Sequence, residues 1–107
     1  SIFKNYFFIF ILLAVALEIT GDIFLKKWSI GNKNLLLIIG LAFYFFGSLF
    51  WAFSLRYEYL FKAISIFMIL NLIIVVLVGV LYFKENLSLI NKIGIALGIV
   101  SVVLLEV

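Results

Sequence analysis

The stretch that decides the fold is ALEITGDIFLKKWSIG, Ala16 to Gly31. It opens inside an apolar run that reaches back to Tyr6, and about 20 such residues are what a helix needs to cross a bilayer. Glu18 sits in the middle of that span, Asp22 follows one helical turn later, and Lys26 and Lys27 close the run. A carboxylate in hydrocarbon costs roughly 2.5–3.5 kcal/mol, and such residues commonly mark a transport pathway. The expectation from this stretch is a membrane helix built around Glu18.

The remaining composition agrees. The chain has 107 residues, of which 68% are hydrophobic and 12% charged, and its mean hydropathy is +1.42. A soluble domain of this length has too much surface to hide that much apolar side chain, whereas a bilayer removes the problem. An integral membrane protein is expected. There is no cysteine and no histidine, so disulfides, thiolate metal sites and the commonest metal ligand are excluded. No nucleophile–base pair or metal cluster is visible, so neither an enzyme nor a bound cofactor is expected. The net charge of +3 suits flanks facing anionic headgroups. The basic residues stand singly between apolar blocks, which speaks against nucleic acid. The first apolar run carries two carboxylates and no small-residue cleavage pattern, so it is expected to be kept rather than removed as a signal peptide, and the initial Ser1 suggests a processed or trimmed start.

Four apolar runs predict an all-α integral membrane protein, a single transmembrane domain over 1–107 with helices at about 6–25, 35–55, 60–83 and 89–105. The first helix is expected to stop near Lys26 to Ser29, ahead of the Gly31–Asn32 turn signal. The second run is rich in aromatics, and Gly40, Gly47 and Ser48 permit close backbone approach. Tyr44 and Trp51, seven apart with Ser48 between them, share a face and are the best candidates on this helix for stacking on a cation. Lys62 can snorkel from the start of the third run. Asn71, near the middle of that run, either lines a cavity or bonds across helices. Gly94, Gly98 and Ser101 form a small-residue face on the fourth run, read as a helix-packing and dimer-packing surface.

The loops after helices one and three hold Lys26, Lys27, Lys33, Lys84 and Lys92, against Lys4, Arg56 and Lys62 on the other side. Five basic residues against three is a weak positive-inside bias, so a single orientation and a dual one, with an antiparallel pair, both stay open. One chain of four helices is thin for enclosing a site with alternating access, so dimerisation is expected.

At about 100° per residue, Ala14, Glu18, Gly21, Asp22 and Leu25 share a face. The small residues near Glu18 leave room for a guest. A carboxyl group in a water-poor site can hold a proton, and an approaching organic cation stabilises the ionised form and displaces it. One carboxylate can thus couple cation movement one way to proton movement the other. Asp22 and Lys26, four apart, are expected to form an ion pair near the helix end and so to support the site rather than bind ligand.

LEITGDIFLKKWSIG, together with LYFKENLSLINKIG at the end of helix three and its following loop, resembles the small multidrug resistance family along nearly the whole chain. The resemblance implies an antiparallel dimer in a bacterial or archaeal inner membrane that exchanges protons for organic cations or exports guanidinium compounds or polyamines. It implies that Glu18 is the essential carboxylate, and that Gly21, Lys26 and Tyr44 match the family's helix-one glycine and lysine and its helix-two tyrosine. It also exposes departures. Ile64 and Phe67 stand where the family has a tyrosine and a tryptophan, Ile69 and Asn71 replace glycines, Tyr59 replaces a proline, and Asp22 replaces a small or neutral residue. Phe67 enters the expected substrate-lining set on this ground.

The leading expectation is a proton-coupled exporter of small organic cations, working as a homodimer or with a second small four-helix subunit. Two alternatives stay open: a flippase-like subunit for a lipid-linked headgroup, and a non-transporting subunit of a larger membrane complex.

Overall fold

The computed structural model describes residues 2–106, with side chains described from residue 5 to residue 105; the Lys4 side chain, counted above among the flanking charges, lies outside that range. Four helices follow one another: α1 (Ile2–Gly31), α2 (Asn34–Ser54), α3 (Leu60–Leu81) and α4 (Leu89–Glu106). The protein is an all-α membrane protein. The first three helices are long and apolar enough to cross a bilayer, and the fourth is a shorter apolar helix. Large apolar side chains lie open on all four, among them Ile38 at 63%, Phe45 at 63% and Leu97 at 63% exposure. Such a surface is stable only where the surrounding solvent is itself hydrocarbon.

The chain forms two compact units, 1–58 and 59–107, each a helical hairpin. In the first, α1 runs past Lys26 and Lys27 and ends only at Gly31, further than the sequence reading placed it. No residue from Lys26 to Ile30 breaks a helix, and the Ser29 hydroxyl folds back to donate to the Lys26 carbonyl at 2.6 Å. The stop comes at Asn32, which takes a left-handed φ of 62° and donates its amide to the Trp28 carbonyl at 2.7 Å. Asparagine tolerates this conformation because its short polar side chain bonds locally. Only Asn32 and Lys33 separate the two helices, and the Trp28 indole N–H reaches over the turn to Asn34 Oδ1 at 3.4 Å. So short a connection forces α1 and α2 antiparallel.

In the second unit, α3 unwinds at Leu81. Lys84 adopts a φ of 54°, and the Glu85 amide folds back to the Gly79 carbonyl at 2.9 Å. The Glu85 carboxylate fills the space that a side chain at Gly79 would need. α4 then opens on a reciprocal cap: the Ser88 amide donates to Asn91 Oδ1 and the Asn91 amide to Ser88 Oγ, both at 3.1 Å. This is the capping-box arrangement, with two orphan amides satisfied at once. Ser88→Ala should cost roughly 1 kcal/mol, seen as a thermal midpoint lower by a few degrees. An unchanged midpoint would mean that the cap contributes nothing.

Candidate functional site

The site is built into the α1–α2 hairpin. Residues of α1 that meet α2 recur at alternating steps of four and three: Ala14, Glu18, Gly21 and Leu25. On α2 the corresponding positions are Gly40, Tyr44 and Gly47. This spacing keeps one seam of each helix facing the other as they coil together. Gly40, Gly47 and Ser54 are the buried residues of α2, seven apart in each step, and their small size lets the backbones approach.

The approach leaves no spare room. A Cβ on Gly21 would lie 2.9 Å from the Gly40 carbonyl oxygen and 2.9 Å from Tyr44 Cδ2. One on Gly40 would lie 2.8 Å from Leu25 Cδ2. One on Gly47 would lie 2.6 Å from Glu18 Cγ and 3.3 Å from the Ala14 carbonyl oxygen. Glu18 is therefore half-buried in the seam, its methylene stem lying on the bare backbone of Gly47. Asp22, one turn on, is also half-buried.

Of the expected site residues, the first hairpin brings Ala14, Glu18, Gly21 and Tyr44 into one seam. Trp51 is half-buried, and its carbonyl accepts from the buried Ser54 hydroxyl at 2.6 Å. Ser48 is exposed, as is Lys26. The residue of α2 against Glu18 is Gly47, adjacent to the expected Ser48. Its signal in the sequence is the seven-residue spacing of Gly40, Gly47 and Ser54, which extends the close-approach role already read for Gly40 and Gly47.

Most other aromatics of α2 hold the hairpin together. Phe43 stacks on Phe24 with centroids 5.6 Å apart and planes 7° from parallel. Phe10 stacks on Tyr57 at 5.9 Å and 8°, and also meets Phe50 and Phe53. These pairings account for aromatic content that would otherwise look like a cation box.

In the second hairpin, Phe67 and Asn71 of α3 and Gly98 and Ser101 of α4 line a groove of about 510 Å³, apolar over most of its wall. Gly98 sits in ordinary contact distance of Leu72, with 3.6 Å from its Cβ position to Leu72 Cδ2, whereas Gly94 faces open space. Among the described residues, no group of three or more His, Cys, Asp or Glu side chains is placed to hold a metal ion.

Fold and site together define a class: a polytopic helical membrane protein with a carboxylate held inside a bilayer-spanning hairpin. The chain is 33% identical over 106 residues to the quaternary ammonium compound-resistance protein QacG of Staphylococcus sp. (strain ST94), an alignment covering 94% of each protein. It belongs to the small multidrug resistance family. As a member of that family the chain is a multi-pass membrane protein and not an enzyme. No protein-family model matches the chain. No solved structure matches it either.

Proposed function

We propose that the chain is a proton-coupled antiporter that exports small organic cations (quaternary ammonium, guanidinium or polyamine-like) across a bacterial or archaeal inner membrane. The observation that carries the reading is Glu18, an ionisable side chain in mid-span of α1, half-buried and flanked in the seam by Ala14, Gly21 and Gly47. Resistance to quaternary ammonium compounds, as the name of the relative states it, supports an organic cation as the ligand. A carboxylate that holds either a proton or a cation, and not both, exchanges one for the other as it faces alternate sides. Tyr44 and Trp51 offer ring faces to the cation. Ser48 belongs to the same proposed lining on α2, Phe67 and Asn71 are proposed substrate-binding residues of α3, and Asp22 with Lys26 anchors the end of the first span. The working unit is a dimer of this chain, or of this chain with a second small four-helix subunit, packed through Gly94, Gly98 and Ser101, and each chain acts as one four-helix transmembrane domain.

The test uses the purified full-length protein in weakly buffered detergent. Adding tetraethylammonium or guanidinium should release protons from the wild type. Release should fall as the starting pH rises, since a carboxyl already ionised has no proton to give. Absence of release at every pH, with both cations, would sink the reading.

A further inference from the structure

We infer that Gly47 is a positioning residue for Glu18: its lack of a side chain is what seats the glutamate stem against α2 and fixes where the carboxylate meets its ligand. The inference rests on the proposal that Glu18 carries the exchanged proton.

The geometry separates Gly47 from the other glycines of the hairpin. A Cβ at Gly21 would strike the carbonyl oxygen of Gly40, a backbone atom that moves only if the helices part. A Cβ at Gly40 would strike the branched end of Leu25. At Gly47 the nearest atom is Cγ of Glu18, at 2.6 Å, while the backbone atoms around it, the Ala14 carbonyl oxygen and the Glu18 amide nitrogen, stand at 3.3 and 3.4 Å. A methyl group there collides first with the middle of the glutamate side chain. That collision is relieved by rotating the stem away from α2, which carries the carboxylate with it. The helices keep their spacing and the charged group changes its place. Sites that hold a ligand by one charged group are sensitive to such shifts, since about 1 Å of misplacement is enough to spoil them.

The groups able to influence Glu18 in the hairpin stay the same when Gly47 is changed. On α1 the carboxylate one turn away is Asp22, and the one titratable side chain that α2 carries is Tyr44. A change in the protonation behaviour of Gly47→Ala therefore reports the new place of the carboxylate.

Four variants of the full-length protein decide it: Gly47→Ala, Gly40→Ala, Glu18→Ala and the Glu18→Ala/Gly47→Ala double. Gly47→Ala should bind tetraethylammonium roughly tenfold more weakly, with the midpoint of its proton-release curve moved along the pH axis. Gly40→Ala adds the same methyl group one seam repeat away, against Leu25. It should lower thermal stability and leave the midpoint of that curve at the wild-type pH. Wild-type affinity and midpoint in Gly47→Ala, or an equal displacement of the midpoint in Gly40→Ala, would overturn the inference. Stability gives a second measure that does not depend on transport. Glu18→Ala removes the Cγ atom that the new methyl strikes, so the loss of thermal midpoint caused by Gly47→Ala should vanish in a Glu18→Ala background. A loss that persists there would overturn the positioning role. If the wild type releases no protons, antiport fails while this cycle still decides whether Gly47 seats Glu18.

Discussion

Glu18→Gln is expected to yield a folded, membrane-inserted protein that releases no protons on addition of tetraethylammonium or guanidinium and drives no proton-dependent cation movement in vesicles. Glutamine keeps the shape of the side chain, including the Cγ that lies on Gly47, so the hairpin packing survives. What disappears is the ability to lose a proton and to present a negative charge. Removing one partner of a desolvated charge pair costs about 2–5 kcal/mol, equivalent to a loss of affinity of roughly thirtyfold to several thousandfold. Coupling suffers more than affinity, because in the proposed exchange the same oxygen atoms serve proton and cation. Asp22→Asn is the companion variant and should retain release. Release from Glu18→Gln equal to that from the wild type would remove Glu18 from the mechanism.

Gly21→Val is expected to be the most damaging substitution to the first hairpin. The added branches enter the space between the Gly40 carbonyl oxygen and the Tyr44 ring, each 2.9 Å from the Cβ position. Neither can yield locally: the carbonyl belongs to the α2 backbone, and the ring sits on the face that Gly21 leaves open. Overpacking of this kind typically costs 1–3 kcal/mol, occasionally more. The expected reading is a large drop in thermal midpoint together with loss of cation binding, since Tyr44 is displaced with the helix. Gly31→Ala is the control, because nothing lies within 4 Å of its Cβ position, and it should be neutral. A Gly21→Val protein that unfolds at the wild-type temperature would show that α1 and α2 do not pack through this seam.

The four helices were legible because the bilayer reduces the problem to counting apolar residues, and polar connections such as Lys84 to Ser88 are unmistakable between such runs. Helix ends were less legible. Lys26 and Lys27 mark where hydrocarbon ends, yet charge does not stop a helix. The backbone continued to Gly31, and Asn32 rather than the glycine took the left-handed turn. The face around Glu18 was legible on α1, because helical periodicity needs only one helix. Its complement on α2 depends on the register of an antiparallel pair, which the two-residue turn sets and single-helix periodicity cannot. That is why Gly47 was legible as a close-approach residue and not as the neighbour of Glu18. The helix-start role of Asn91 was similarly invisible until its side chain was seen bonded to Ser88.

The extension of α1 to Gly31 has a consequence for the membrane itself. At 1.5 Å per residue, its 30 residues make a rod of about 45 Å. A typical hydrocarbon core is about 30 Å thick. The segment from Tyr6 to Leu25 fills that core, so Lys26, Lys27 and Trp28 ride on ordered helix through the headgroup layer. A helix that outlasts its apolar stretch holds the two lysines and the indole at fixed positions around one rod, where a loop would let them wander.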